Sequence, residues 1–198
     1  MTAALGAGTA HVVVDMQRLF GHATAWQVPC LATVIEPIAT IARRHPAQTI
    51  FTRFITPHSA DDAAGSWRRY YQRWPMVLRG NIDAALLDLV EPLAAFVPPA
   101  EICDKTTFSA FHSAPFLAAL DRRQVDTLVI TGAETDVCVL ATAFDAVDHG
   151  YRVIVVADAV TSLSESGHRA TLDAIFARMD QQVEIVTVDA VLAAWPKG

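Results

Sequence analysis

The sequence predicts an α/β protein, a three-layer, doubly wound, Rossmann-like fold in which one sheet of six parallel strands carries helices on both faces. Three observations lead there. Short β-branched runs recur along the chain; each is followed by a segment with helical spacing; and four of the runs are nearly continuous apolar stretches, as expected of strands covered on both faces. Strand and helix alternating in this way imply βαβ units with right-handed crossovers, and so a parallel sheet.

Taken in order, the strands are His11–Val14, Thr49–Thr52, Glu101–Cys103, Thr127–Thr131, Arg152–Ala157 and Val183–Val188. The helices predicted between and after them are Pro29–Arg44, Ser59–Trp74, Ala114–Arg123, Val137–Gly150, Ser164–Met179 and Asp189–Trp195. The stretch from Phe54 to Ala100 is the irregular part, broken by Pro57, Pro75, Gly80, Pro92 and Pro98-Pro99. No composition shift, repeat or low-complexity tract divides the 198 residues, so a single domain is expected over 1–198.

Composition narrows the function classes. With 53% apolar and 18% charged residues the chain has the balance of a buried core and not of a disordered polymer. A net charge of −6 without a Lys/Arg block gives no footprint for nucleic acid or anionic lipid, so partners should be small molecules or other protein chains. No apolar run reaches bilayer length and no signal sequence opens the chain, so the expected location is the cytoplasm. Cys30, Cys103 and Cys138 lie in no CxxC pair, which speaks against a disulfide scaffold or a zinc site. Of the 15 basic residues 13 are Arg, and the only lysines are Lys105 and Lys197. A GC-rich coding bias would explain that; so would a task at Lys105 that needs a compact ammonium.

In an open α/β sheet, ligands sit beyond the carboxyl ends of the strands, and three polar residues stand there. Asp15 closes the first strand, where it could equally be a cap. Lys105 follows the third, where a lone lysine would ordinarily lay its stem on apolar neighbours. Cys138 lies after the fourth strand at a helix start. An apolar-flanked cysteine is ordinarily a small core residue, as expected for Cys30 and Cys103. At a helix N-terminus, however, the macrodipole should lower the thiol pKa, and the first-turn amides could receive an oxyanion. A thiol beside oriented amides, with an acid and an amine from nearby strand ends, has the parts of a nucleophilic amidase.

Four blocks, Val13-Val14-Asp15-Met16-Gln17, Lys105 to Phe111, Gly132 to Val139 and Gly150 to Ala159, resemble in order and spacing the isochorismatase-like cysteine hydrolase family. The resemblance runs from about His11 to Val188 and is loosest over Phe54 to Ala100. It implies a triad of Asp15, Lys105 and Cys138, a cis peptide between Ala133 and Glu134, and an oxyanion hole formed by the backbone amides of Glu134 and Cys138. In that reading Asp15 moves the protons, Cys138 attacks an amide-type carbonyl, and Lys105 orients Asp15 and favours the thiolate. Members acting on isochorismate lack the cysteine, so Cys138 argues against that activity. Nicotinamidases carry an Asp-x-His metal pattern after the second strand, where this chain has Arg53 and Phe54; His58, Asp61 and Asp62 follow as candidate caps. No metal and no cofactor are therefore expected. The family resemblance also implies a homodimer or homotetramer.

Substrate-binding candidates complete the reading. Gln17, Phe20 and Phe108 stand close to the triad residues in sequence, and Arg53 at a strand end could anchor an anion. Trp67, Tyr70, Tyr71 and Trp74 share one helix face, which either packs on the core or a subunit or serves as a lid that brings Trp67 and Tyr71 to the pocket. Asp158 and Ser162 are read as turn and cap residues. The expected activity is cleavage of a small amide, carbamoyl or ureido C–N bond; the alternatives are a nicotinamidase-type amidase and a non-catalytic binding or assembly protein.

Overall fold

The computed structural model describes residues 2–196. Six strands, β1 (Thr9–Val14), β2 (Thr49–Phe54), β3 (Glu101–Lys105), β4 (Thr127–Ala133), β5 (Arg152–Thr161) and β6 (Val183–Val186), form one parallel sheet in the order β3-β2-β1-β4-β5-β6. Helices α1 (Leu31–Arg44), α2 (Gly65–Arg73), α3 (Ala114–Arg122), α4 (Leu140–Asp148), α5 (Glu165–Ala170) and α6 (Val188–Ala194) accompany it. α1 packs on β1, β4 and β5 together with α6, while α3 lies against β3 and α4 against β5. This is the doubly wound sheet with helices on both sides that the alternating pattern predicts. β1 is wholly buried; its polar His11 is satisfied, the ring bonding the Thr49 and Thr131 hydroxyls at 3.3 and 2.9 Å, whereas the buried Thr9 hydroxyl has no hydrogen-bond partner among the described residues.

The order places the topological switch between β1 and β4, the position where open α/β sheets form their crevice. Two features shape it. Asp15, directly after β1, has φ 50, and its carbonyl accepts from Gln17 N at 2.8 Å, so the chain turns sharply at the strand end. Opposite it, Gly132 pairs with Val14 at φ 107, and a Cβ there would collide with the Val14 carbonyl. Only glycine lets the two strands meet so closely.

Some boundaries differ from the sequence reading, each for a local reason. The predicted Ser59–Trp74 helix is two pieces: the Ser59 and Asp62 side chains close a capping box around the turn Ala60–Asp62, the chain extends at Ala63 and Ala64, and α2 begins at Gly65. β3 runs on to Lys105, and β5 continues past Ala157 to Thr161 after its register with β4 shifts between Ile130 and Gly132. Asp158 is thus a strand residue and no turn; its carboxylate accepts from Val188 N at 2.9 Å and caps α6. β6 stops at Val186 because Thr187 turns its hydroxyl to Ala190 N as the cap of the same helix. Thr135–Val139 is a π-helical turn leading into α4, so the segment holding Cys138 starts before the predicted Val137.

Candidate active site

β1, β3 and the turn after β4 bring Asp15, Lys105 and Cys138 together beneath the surface, at 0%, 2% and 7% exposure. Lys105 reaches from β3 across β2: its Nζ passes 4.8 Å from the Phe54 ring and donates to Asp15 Oδ2 at 2.6 Å and to the Thr107 carbonyl at 3.0 Å. A straight stem ending in a compact ammonium suits that path. The other carboxylate oxygen of Asp15 accepts from the Thr52 hydroxyl at 2.7 Å, and that hydroxyl in turn accepts from Asp15 N at 3.2 Å. Thr52 escaped the sequence reading. Strand alternation carries the signal, because Thr52 stands on the same side of β2 as Phe54, one pleat from the strand end.

The electrostatics revise one expectation. Burial pushes the Cys138 thiol well above its ordinary value, the Asp15 carboxylate pushes it further, and Lys105 pulls the other way. The helix-end argument predicted a lowered value; removal from water outweighs it here. Burial would lower the Lys105 ammonium, but Asp15 and Cys138 outweigh burial and hold it above its usual value. A protonated thiol therefore rests beside an ion pair, and a carboxylate that can accept its proton is in place.

The peptide between Ala133 and Glu134 is cis, in the turn where the resemblance implies one. The Glu134 side chain is tied down: Oε2 accepts from Leu163 N at 2.8 Å and from the Ser162 hydroxyl at 3.2 Å, and that hydroxyl also meets Asp136. Ser162 thus links the β4 turn to the end of β5 instead of serving as the predicted helix cap, a role that Ser164 fills through Gly167 N. Burial pushes the Glu134 carboxyl upward despite these bonds.

A cavity of about 60 Å³ opens over Cys138, lined by Phe20, Trp26, Phe54, Tyr70, Phe108, Glu134, Val137 and Leu163. Of the sequence candidates for substrate contact, Phe20 and Phe108 are in this wall. Gln17 is not: its buried amide accepts from Phe54 N at 2.6 Å and donates to the Phe54 and Leu87 carbonyls, so it fixes Phe54, which does line the cavity. Trp67 stands one ring behind, 4.7 Å from Phe108 and 6.1 Å from Phe54. Tyr71 is buried and faces a different cavity of about 380 Å³, bounded also by His58, Trp67, Arg79 and Thr107. The aromatic face of α2 therefore packs inward, on the core and the pocket wall. Arg53 corrects the anion-anchor expectation: its Nε and Nη2 bond Asp104 at 2.7 and 2.9 Å and Nη1 meets Asp88 at 3.3 Å, so its charge is already matched. Trp26, Tyr70 and Leu163 are lining residues the sequence reading did not select. Trp26 sits in an aperiodic loop and Leu163 past a strand end, while Tyr70 shares the face of Tyr71.

His58, Asp61 and Asp62 form no metal site. Asp62 is the cap acceptor for Ser59, and among the described residues no three His, Cys, Asp or Glu side chains are grouped to hold an ion. The residues that end β2, Arg53 and Phe54, offer no donor set that fits a divalent cation.

The isochorismatase domain family matches residues 9–189. The chain belongs to the isochorismatase family. Within it, the chain is 35% identical to the maleamate amidohydrolase of Pseudomonas putida over 61% of its own length and 54% of that protein, so it spans about half of that relative. To the ureidoacrylate amidohydrolase RutB of Methylorubrum extorquens it is 35% identical over 76% of this chain and 68% of the other. Among solved structures, a cysteine hydrolase from Pseudomonas syringae pv. phaseolicola superposes with a TM-score of 0.82 at 26% identity, covering 98% of this chain and 95% of that one. No helix among the described residues is long and apolar enough to cross a membrane.

Proposed function

We propose that this isochorismatase-family protein is a cysteine amidohydrolase that cleaves a C–N bond of a small amide, carbamoyl or ureido compound through a thioester. The observation that carries it is the buried contact of the Lys105 ammonium with Asp15, 2.6 Å apart, in the field of the Cys138 thiol. Kinship with proteins named maleamate and ureidoacrylate amidohydrolase supports the reaction class.

The steps follow from the groups present. Asp15 takes the thiol proton as Sγ attacks the carbonyl carbon, forming a C–S bond and an oxyanion that the Glu134 and Cys138 amides receive. Asp15 then gives that proton to the leaving nitrogen as the C–N bond breaks, and ammonia or an amine departs. Water attacks the thioester while Asp15 accepts its proton; the C–S bond breaks, the acid leaves, and the thiol is restored. Lys105 keeps its proton throughout. It holds Asp15 in place and balances the negative charge that passes between carboxylate and sulfur. Because the resting thiol is protonated by burial, transfer to Asp15 is part of the attack and not a step completed beforehand. No cofactor or metal has a role in these steps. The reading includes a homodimer or homotetramer in the cytoplasm.

The test is substitution of the nucleophile. Cys138→Ala and Cys138→Ser are expected to lose ammonia release from amide substrates by a factor of about 10⁴ or more while keeping the wild-type circular dichroism spectrum and melting temperature. Amidase activity retained in either folded variant would overturn the mechanism.

A further inference from the structure

The cavity over Cys138 carries information about the substrate that the triad does not. Five of its lining residues are aromatic, Phe20, Trp26, Phe54, Tyr70 and Phe108: Trp26 lies 6.1 Å from both Phe20 and Phe54 and 5.8 Å from Tyr70, and Phe108 is backed by Trp67 at 4.7 Å. Val137 and Leu163 add aliphatic surface, and the one charged side chain in the wall is the carboxyl of Glu134. Among the described residues no Lys, Arg or His lines it. Three cations of neighbouring elements lie outside this wall. Lys105 is bound by Asp15 and the Thr107 carbonyl, Arg53 is matched by Asp104 and Asp88, and Arg79 belongs to the 380 Å³ cavity, which has no lining residue in common with this one.

A carboxylate entering such a pocket would give up its hydration for ring faces and a second carboxyl, with no guanidinium or ammonium to receive it. An apolar group would instead replace water against aromatic surface, which favours burial. We propose that this site takes amides whose non-reacting end is uncharged and apolar, and turns away those carrying a carboxylate there. The proposal rests on the amidohydrolase reading for the reacting end. It separates this chain from the relatives named for maleamate and ureidoacrylate, both of which are carboxylates.

The experiment uses pairs in which an isopropyl group replaces a carboxylate at the same branching position: 3-methylbutanamide against malonamate, and 4-methylpentanamide against succinamate. Ammonia release by the wild-type protein gives kcat/KM for each. Binding is read separately in the Cys138→Ala variant by quenching of tryptophan fluorescence, with Trp26→Phe in the same background to show that the signal comes from the pocket. The isopropyl member of each pair is expected to be favoured by about 100-fold in both readouts, the scale of an unmatched charge at a desolvated contact. Leu163 is 57% exposed at the rim, so Leu163→Arg should fold and supply the missing cation, narrowing the preference at least about tenfold.

A carboxylate member that binds as well as its partner, an absence of binding by all four compounds, or a ratio unmoved by Leu163→Arg would overturn the proposal. Binding with the expected preference but no ammonia release would instead overturn the amidohydrolase reading and leave the pocket assignment standing. Release of ammonia without the preference would do the reverse.

Discussion

Lys105 shows what one residue contributes in this fold. Its Nζ and the Asp15 carboxylate form an ion pair in which both side chains are fully removed from solvent. Such a pair is costly to assemble but costlier to break, because loss of one member leaves an unmatched buried charge. Lys105→Met is expected to lower unfolding free energy by about 3–5 kcal/mol in urea titrations, and adding Asp15→Asn to it should recover part of that loss. If the double variant is no more stable than Lys105→Met alone, the pair is not what holds these residues. Asp15, Lys105 and Cys138 are legible in the sequence as polar residues at or just beyond the carboxyl ends of the first, third and fourth strands, the edge where ligands bind. Their partners are not. Thr52 acts through a hydrogen bond between neighbouring strands, and Trp26 comes from a loop with no periodicity, so only the folded chain relates them to the site. Arg53 differs from the expectation for a similar reason: strand-end position says where a cation is, but not that Asp104 on the paired strand holds it.

Among the elements, the meeting of β1 and β4 is the most constrained. Gly132 combines φ 107 with a position at which any side chain would strike the Val14 carbonyl, so both conformation and space exclude alanine. Gly132→Ala should therefore cost at least about 1–3 kcal/mol, read as a lower melting temperature, and should reduce catalysis more than stability because Asp15 and the turn bearing Cys138 both hang from this contact. A variant with unchanged melting temperature would show that the strands can part without penalty. The sheet itself was readable from its β-branched runs, and all six strands stand where those runs are. Ends were less so. A run of residues with helical spacing from Ser59 to Trp74 hides a Ser59–Asp62 box that closes one turn and releases the chain before the next. β5 outruns its apolar core because register with β4 shifts at a bulge, a property of the pair and not of either strand alone.

At the scale of the whole molecule, His11 couples the sheet to pH. It is buried in mid-strand between two threonines, and burial, aided by the charge of His45, depresses its pKa to about 3. The unfolded chain takes up a proton near pH 6.5 that the native state refuses, so the stability from this group is complete above that pH and is lost as pH falls toward 3. The expected slope is about 1.4 kcal/mol per pH unit below about 6. Urea titrations at pH 6 and pH 4.5 should differ by roughly 2 kcal/mol more in the wild-type protein than in His11→Gln, and equal pH dependence in the two would remove His11 as the cause. The scarcity of lysine has a consequence of another kind. Lys105 is the only lysine among the described residues, and its amine is sealed from solvent. Lysine-specific proteases and amine-acylating reagents thus find no target in the described part of the native fold, and cleavage or acylation at Lys105 becomes a direct clock for the opening of the sheet edge where β1, β2 and β3 end.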